Sequence, residues 1–207
     1  TGVGGQSDPG LANAMKRLRI GVVGAGLIGR RHIATIAASP EAAKARLKNN
    51  TGDQPLSVLD EVRLHAVCVD RASGKLLHDL ELIREREPQA VHQLNSYASP
   101  TPVLEEGRLY CHFGTFGTFC VDTAAAKVLW KNTELKLMHE VGPGSSPVVW
   151  RDKLIFHGAG SDVQFIAALD KATGRLAWKT GRTGELNNNP QLKKSYATPL
   201  ILEMAGK

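Results

Sequence analysis

Six residues near the start of the chain, Gly24-Ala25-Gly26-Leu27-Ile28-Gly29, have the spacing that lets a backbone close on a phosphate. The first glycine permits a tight turn, the second leaves room for a pyrophosphate, and the third lets a helix pack on a strand. Leu18 to Val23 reads as the buried strand before this motif, and Ala25 to Ala38 as the turn and helix after it. The unpaired N–H groups at such a helix start would face an anion. A second set is Asp70, Asp122 and Asp170, each followed by Gly or Ala four residues later and by His or Trp eight later. Asp accepts hydrogen bonds from the backbone just after it, so turn formation is the first expectation for all three, ahead of catalysis. His112 and His157 share a repeat position and read as strand-end residues rather than metal ligands. Cys68, Cys111 and Cys120 are odd in number and lack C-x-x-C spacing, which argues against a disulfide framework or a zinc site. One disulfide stays open. Gly142-Pro143-Gly144-Ser145-Ser146 could cradle an anion through its N–H groups, with a plain connecting loop as the simpler reading.

The elements that must hold these residues differ between the two ends of the chain. The stretch from Met15 to His32, which contains the glycine motif, resembles the opening of the Gfo/Idh/MocA family of NAD(P)-dependent oxidoreductases. That resemblance implies Gly24, Gly26 and Gly29 at a dinucleotide. A cofactor site of this type also needs an acidic residue ending a second strand about 20 residues on. Here that distance lands in the polar run Lys48-Asn49-Asn50-Thr51-Gly52-Asp53. Asp70 ends a strand-like segment, but lies 41 residues past Gly29. The expectation is a short βα (Rossmann-like) fragment without a ligand. NAD(P) binding at Gly24, Gly26 and Gly29 is the alternative.

From Val62 onward the sequence repeats itself, the signature of stacked structural units. A strand ending in Asp, a turn and a second strand run from Ala66 to His78, from Thr118 to Trp130 and from Ala167 to Trp178. The three aspartates are 52 and 48 residues apart. Glycine at the fourth place after Asp suits the left-handed backbone of such a turn. The Trp eight residues after Asp is expected to pack between neighbouring sheets as blade core. A second phrase interleaves with the first. Counting from Pro102 and from Pro147, a leucine falls seven residues on (Leu109, Leu154) and a histidine ten on (His112, His157). Ala197-Thr198-Pro199-Leu200-Ile201-Leu202 begins a third copy. Each period then supplies four strands, as a propeller blade does.

These phrases resemble the pyrroloquinoline-quinone-like (quinoprotein) β-propeller repeat. The resemblance implies a radial array of four-stranded antiparallel blades and an exported, periplasmic or extracytoplasmic setting. Quinone-dependent dehydrogenases of this kind use adjacent cysteines and a calcium site, and no two cysteines here are adjacent. Pyrroloquinoline quinone is therefore not supported by the residues present, and no cofactor is the first expectation.

Composition fits this picture. The chain has 207 residues, 42% hydrophobic, with 21 glycines and 10 prolines between short apolar runs, a turn-rich β pattern. Its net charge of +6 is spread along the chain, so no nucleic-acid partner is expected. No apolar run approaches the ~18 residues of a membrane span. Lys16 to Ile28 loosely resembles an export leader, but Arg30, Arg31 and His32 would stop it. The fold expected is mainly β, a partial β-propeller preceded by a short βα fragment. Its divisions are a flexible lead at 1–14, the fragment at 15–38, a linker at 39–61 and blades at 62–207, the last comprising two full periods and part of a third. The function expected is a non-catalytic binding or scaffold module, a segment of a longer protein, binding a protein or small molecule through its loops. Remaining blades or other copies would close the ring. The alternatives are an oxidoreductase of the Gfo/Idh/MocA type or part of a quinone-dependent dehydrogenase.

Overall fold

Twelve strands carry the described part of the chain. They are β1 (Leu56–Ser57), β2 (Glu61–Val69), β3 (Leu76–Arg86), β4 (Val91–His92), β5 (Val103–Glu105), β6 (Arg108–His112), β7 (Thr118–Asp122), β8 (Lys127–Asn132), β9 (Val148–Trp150), β10 (Lys153–Ala159), β11 (Gln164–Asp170) and β12 (Leu176–Gly181). The computed structural model describes residues 56–70, 72–105 and 107–204. The glycine motif, the expected βα fragment at 15–38 and most of the linker lie outside the described residues. Among the described residues only two short 3-10 turns are helical, Gly114–Phe116 and Pro190–Lys193.

The strands form two four-stranded antiparallel meanders, β5-β6-β7-β8 and β9-β10-β11-β12, with the β2-β3 hairpin as a third unit. The third copy expected to begin at Ala197 forms no strand among the described residues, where the last strand ends at Gly181. The linker expected at 39–61 does not remain a linker to its end. Leu56 and Ser57 pair with His92 and Val91, and β2 begins at Glu61.

The repeat is reproduced down to single hydrogen bonds. Cys68 faces His78 across the first hairpin, Cys120 faces Trp130 across the second, and Ala168 faces Trp178 across the third. The register shifts immediately after each of these pairs, a bulge that twists the outer strand. In the turns, the Asp70 carboxylate accepts from the Ser73 N–H at 2.9 Å and the Asp170 carboxylate from the Thr173 N–H at 2.9 Å. Asp122 accepts from the N–H groups of Ala124 and Ala125, both at 2.8 Å. The Gly74 and Gly174 N–H groups close their turns onto the Asp70 and Asp170 carbonyls at 2.8 Å. Both glycines sit at positive φ, +68° and +73°, where a side chain is strained.

Burial explains why the centres of the middle strands are apolar. Tyr110, Cys111, Phe113, Phe119 and Cys120 are all buried, because a neighbouring unit covers each face of the first meander. A fully buried Phe of this kind stabilises by roughly 1.5–3 kcal/mol. All three cysteines are free.

Trp130 joins the two meanders. Its indole N–H donates to the Lys171 carbonyl at 3.0 Å, and its ring fills the space beside Gly174 where a Cβ would lie. Beside it, the Asn132 amide donates to the Gly174 carbonyl at 2.9 Å, and Lys171 reaches Glu105 at 3.0 Å. The corresponding place between hairpin and first meander is different in a matched way. His78 stands where the Trp would be, Ala126 stands where the Gly would be, and together they line an apolar cavity of about 30 Å³. His78→Trp combined with Ala126→Gly should fill that cavity and raise stability by about 1 kcal/mol. A urea midpoint at or below that of the parent chain would show that the cavity is not a vacant indole slot.

Candidate functional site

Two places bring chemistry-bearing residues together, and both lie where one unit meets the next. The first is a histidine cleft. His112 ends β6 and His157 lies in β10, so the repeat places them on adjacent sheets. The His112 ring stacks on Phe156 at 4.2 Å, and its Nδ1 shares a 2.9 Å hydrogen bond with the Thr118 hydroxyl. His139 enters from the connection between the meanders, and its Nε2 accepts from the Thr115 N–H at 3.0 Å. Gly114 makes that approach feasible, since a Cβ there would lie 2.0 Å from His139 Nε2.

Burial sets the protonation of this cleft. Loss of solvent pulls the His112 pKa down to about 3, helped by His139 nearby. His139 is pulled down to about 4 for the same reason, with Asp162 opposing and Lys194 adding to the effect. His157 is lowered by burial and by Arg182. Its Nδ1 is buried without a hydrogen-bond partner among the described residues. Three neutral imidazoles could in principle ligate a metal. Among the described residues, however, no three His, Cys, Asp or Glu side chains are placed to hold one. The free space is about 10 Å³, room for no more than one water.

The loop Gly142 to Ser146 packs beside this cleft and is fully engaged. Pro143 is buried, Gly144 lies under the Tyr196 ring, and the Ser146 hydroxyl accepts from the Thr101 N–H at 2.8 Å. The Asn95 amide donates to the carbonyls of Val141 and Pro143 at 2.9 and 3.2 Å. The loop ties the meanders together. Asp70, Asp122 and Asp170 sit in the repeat turns, so the structure distributes them rather than gathering them. Gly24, Gly26 and Gly29 lie outside the described residues.

The second place is a groove of about 350 Å³ that sequence reading did not find. Glu85 and Glu87 come from the end of the hairpin, Phe116 from the first meander, Met138 from the connection and Asp162 from the β10–β11 turn. Its floor is fixed by hydrogen bonds. The Gln89 amide donates to the Leu137 carbonyl at 2.9 Å and its oxygen accepts from the His139 N–H at 2.8 Å. The Asp162 carboxylate accepts from the Met138 N–H at 2.8 Å, and Lys136 donates to the Thr115 carbonyl at 3.0 Å. Met138 remains 47% exposed. The groove thus sets the carboxylates of Glu85, Glu87 and Asp162 and the ammonium of Lys136 around the exposed Met138 side chain, on a hydrogen-bonded floor.

Comparison with known proteins follows the strands. The family described as outer membrane protein assembly factor BamB matches residues 51–180. Among solved structures, BamB from Moraxella catarrhalis is 17% identical, covering 73% of this chain and 42% of that one, with a TM-score of 0.46. A europium-containing methanol dehydrogenase is also 17% identical, covering 63% of this chain and 24% of that one, with a TM-score of 0.40. The chain therefore spans less than half the length of either. No curated protein matches it. The family match begins after the glycine motif. Nothing found supports a Gfo/Idh/MocA start.

Proposed function

This chain belongs to the BamB-type family of pyrroloquinoline-quinone-like propeller repeats, and from that premise we propose that it acts as a non-catalytic binding module. The observation that carries the reading is the groove bounded by Glu85, Asp162 and Met138. It has the volume of a ligand site, and it joins four chain segments that the inter-unit contacts hold in place. Carboxylates beside an exposed thioether suit a peptide carrying Arg or Lys next to Leu or Phe. A protein partner presenting such a segment is the occupant that fits best. Charge would steer the encounter, and burial of the apolar residue on Met138 would hold it.

A fluorescein-labelled decapeptide with two arginines separated by leucines serves as probe. Saturable binding to the 207-residue chain is expected, weakening as salt rises. Glu85→Arg should raise its dissociation constant at least tenfold, about 1.4 kcal/mol, with circular dichroism unchanged. Equal binding of the same peptide with glutamates in place of arginines would remove the basis for the reading.

A further inference from the structure

We propose that His139 is a proton-operated latch on the groove. As a neutral ring it ties two sides of the groove together, and once protonated it lets them part and release the ligand. The release step rests on the peptide reading of the groove, while the latch itself rests on the bonds beneath it. Thr115 and Phe116 line one side of the groove, and Lys136, Leu137 and Met138 line another. Three hydrogen bonds join these two segments. The Thr115 N–H donates to His139 Nε2 at 3.0 Å, the Leu137 N–H to the Thr115 hydroxyl at 3.3 Å, and the Lys136 ammonium to the Thr115 carbonyl at 3.0 Å. The first differs from the others, because its acceptor is an imidazole that can itself bind a proton near neutral pH.

A ring nitrogen that accepts carries no hydrogen, so the neutral His139 ring holds its proton on Nδ1. Protonation places a hydrogen on Nε2 as well, aimed at a backbone N–H that can only donate. Two donors then face each other in a closed place. The ring has no room to turn aside: a Cβ on Gly114 would lie 2.0 Å from Nε2, and the cleft has about 10 Å³ to spare. The Thr115 turn and the connection must separate for the charge to reach water. His112 is under no such constraint, since its Nδ1 meets the Thr118 hydroxyl, which can change from donor to acceptor. His157 Nδ1 has no partner to lose among the described residues.

The titratable and charged groups around His139 are His112 from β6, His157 from β10, Asp162 from the β10–β11 turn, and Lys194 and Tyr196 from the segment after the Pro190–Lys193 turn. Asp162 favours the protonated ring, whereas burial and Lys194 oppose it and hold the ring at about 4. Lys194 is itself paired with Glu140, the residue after His139, at 3.0 Å. Above pH 6.5 neither the closed nor the open groove binds this proton, so pH has no effect there. Between 6.5 and about 4 only the open groove binds it, and opening is favoured as pH falls.

Amide hydrogen exchange of the 207-residue chain, followed by NMR, reads the latch without any ligand. From pH 7 to pH 5 the protection of the Thr115 amide, corrected for its intrinsic rate, should fall about twentyfold through uptake of one proton. His139→Gln keeps an acceptor but takes up no proton, so the fall should vanish there. His112→Phe should leave it in place. Binding of the arginine–leucine decapeptide over the same range reads the groove. It should weaken at least about threefold more in the parent chain than in His139→Gln, with circular dichroism unchanged. Constant Thr115 protection in the parent, or an equal fall in His139→Gln, would overturn the proposal. Loss of the Thr115 response in His112→Phe would do the same, and needs no His139 variant to fold. A Thr115 response with no peptide bound at pH 7 would uphold the latch and remove the peptide reading instead.

Discussion

Lowering the pH from 7 to 4 should remove on the order of 6 kcal/mol of stability, most of it through His112 and His139. In the unfolded chain both rings titrate near the ordinary histidine value of 6.5. In the folded chain burial holds them at about 3 and about 4. Above pH 6.5 neither state binds the proton, so the shift has no effect there. Below it the unfolded chain gains two protons that the folded chain refuses, and stability falls by up to about 3 kcal/mol per pH unit. The fall slackens for His139 near pH 4 and for His112 near pH 3. A domain of this size has roughly 5–15 kcal/mol in hand, so acid unfolding is expected near pH 4. Urea midpoints at pH 7, 6, 5 and 4 measure the slope. His112→Phe should remove about half of it and keep the stack on Phe156. Equal stability at pH 6 and pH 4 would mean that water reaches these rings.

What could be read in the sequence was what each repeat does within itself. The Asp turn announces itself through residue types at fixed distances, because the carboxylate, the small hydroxyl and the glycine all act within five residues. Leu109 and Leu154, His112 and His157 were likewise legible as copies of one position. The strands either side of Asp70 were less so. Charged residues such as Arg63, Asp79, Glu81 and Arg84 extend β2 and β3 well beyond the repeat phrase; Arg63 pairs with Glu61 and Arg84 with Glu81 along their own strands, and Asp79 meets His65 across the hairpin. The pairing of Leu56 and Ser57 with β4 carries no periodicity at all.

What could not be read was the contact between repeats. His139 belongs to no repeat phrase, and the Gly114 that makes room for it is one glycine among 21. The groove draws Glu85, Phe116, Met138 and Asp162 from four segments, each ordinary where it stands. The matched change at His78 and Ala126 shows the same limit from the other direction. Each residue looks like a slip from the repeat when taken singly. Together they are one change, because a ring and the glycine beneath it are a single steric unit.

That unit predicts the cost of a single methyl group. Gly174→Ala should destabilise the protein by about 2–4 kcal/mol, as much as many large-to-small core changes. Roughly 1–2 kcal/mol comes from placing an L side chain in the left-handed backbone. The rest comes from driving the Trp130 ring off its seat, since the new Cβ would lie 2.4 Å from the ring and the indole would lose its bond to Lys171. The protein contains its own control. Ala126 occupies the equivalent turn position at φ +50° and is tolerated where the facing ring is His78. Trp130→His should therefore rescue part of the Gly174→Ala loss. A double-mutant cycle should give a coupling of about 1–3 kcal/mol between the two positions. Strictly additive losses would mean that the backbone alone sets the cost, and that the matched pair at His78 and Ala126 is coincidence.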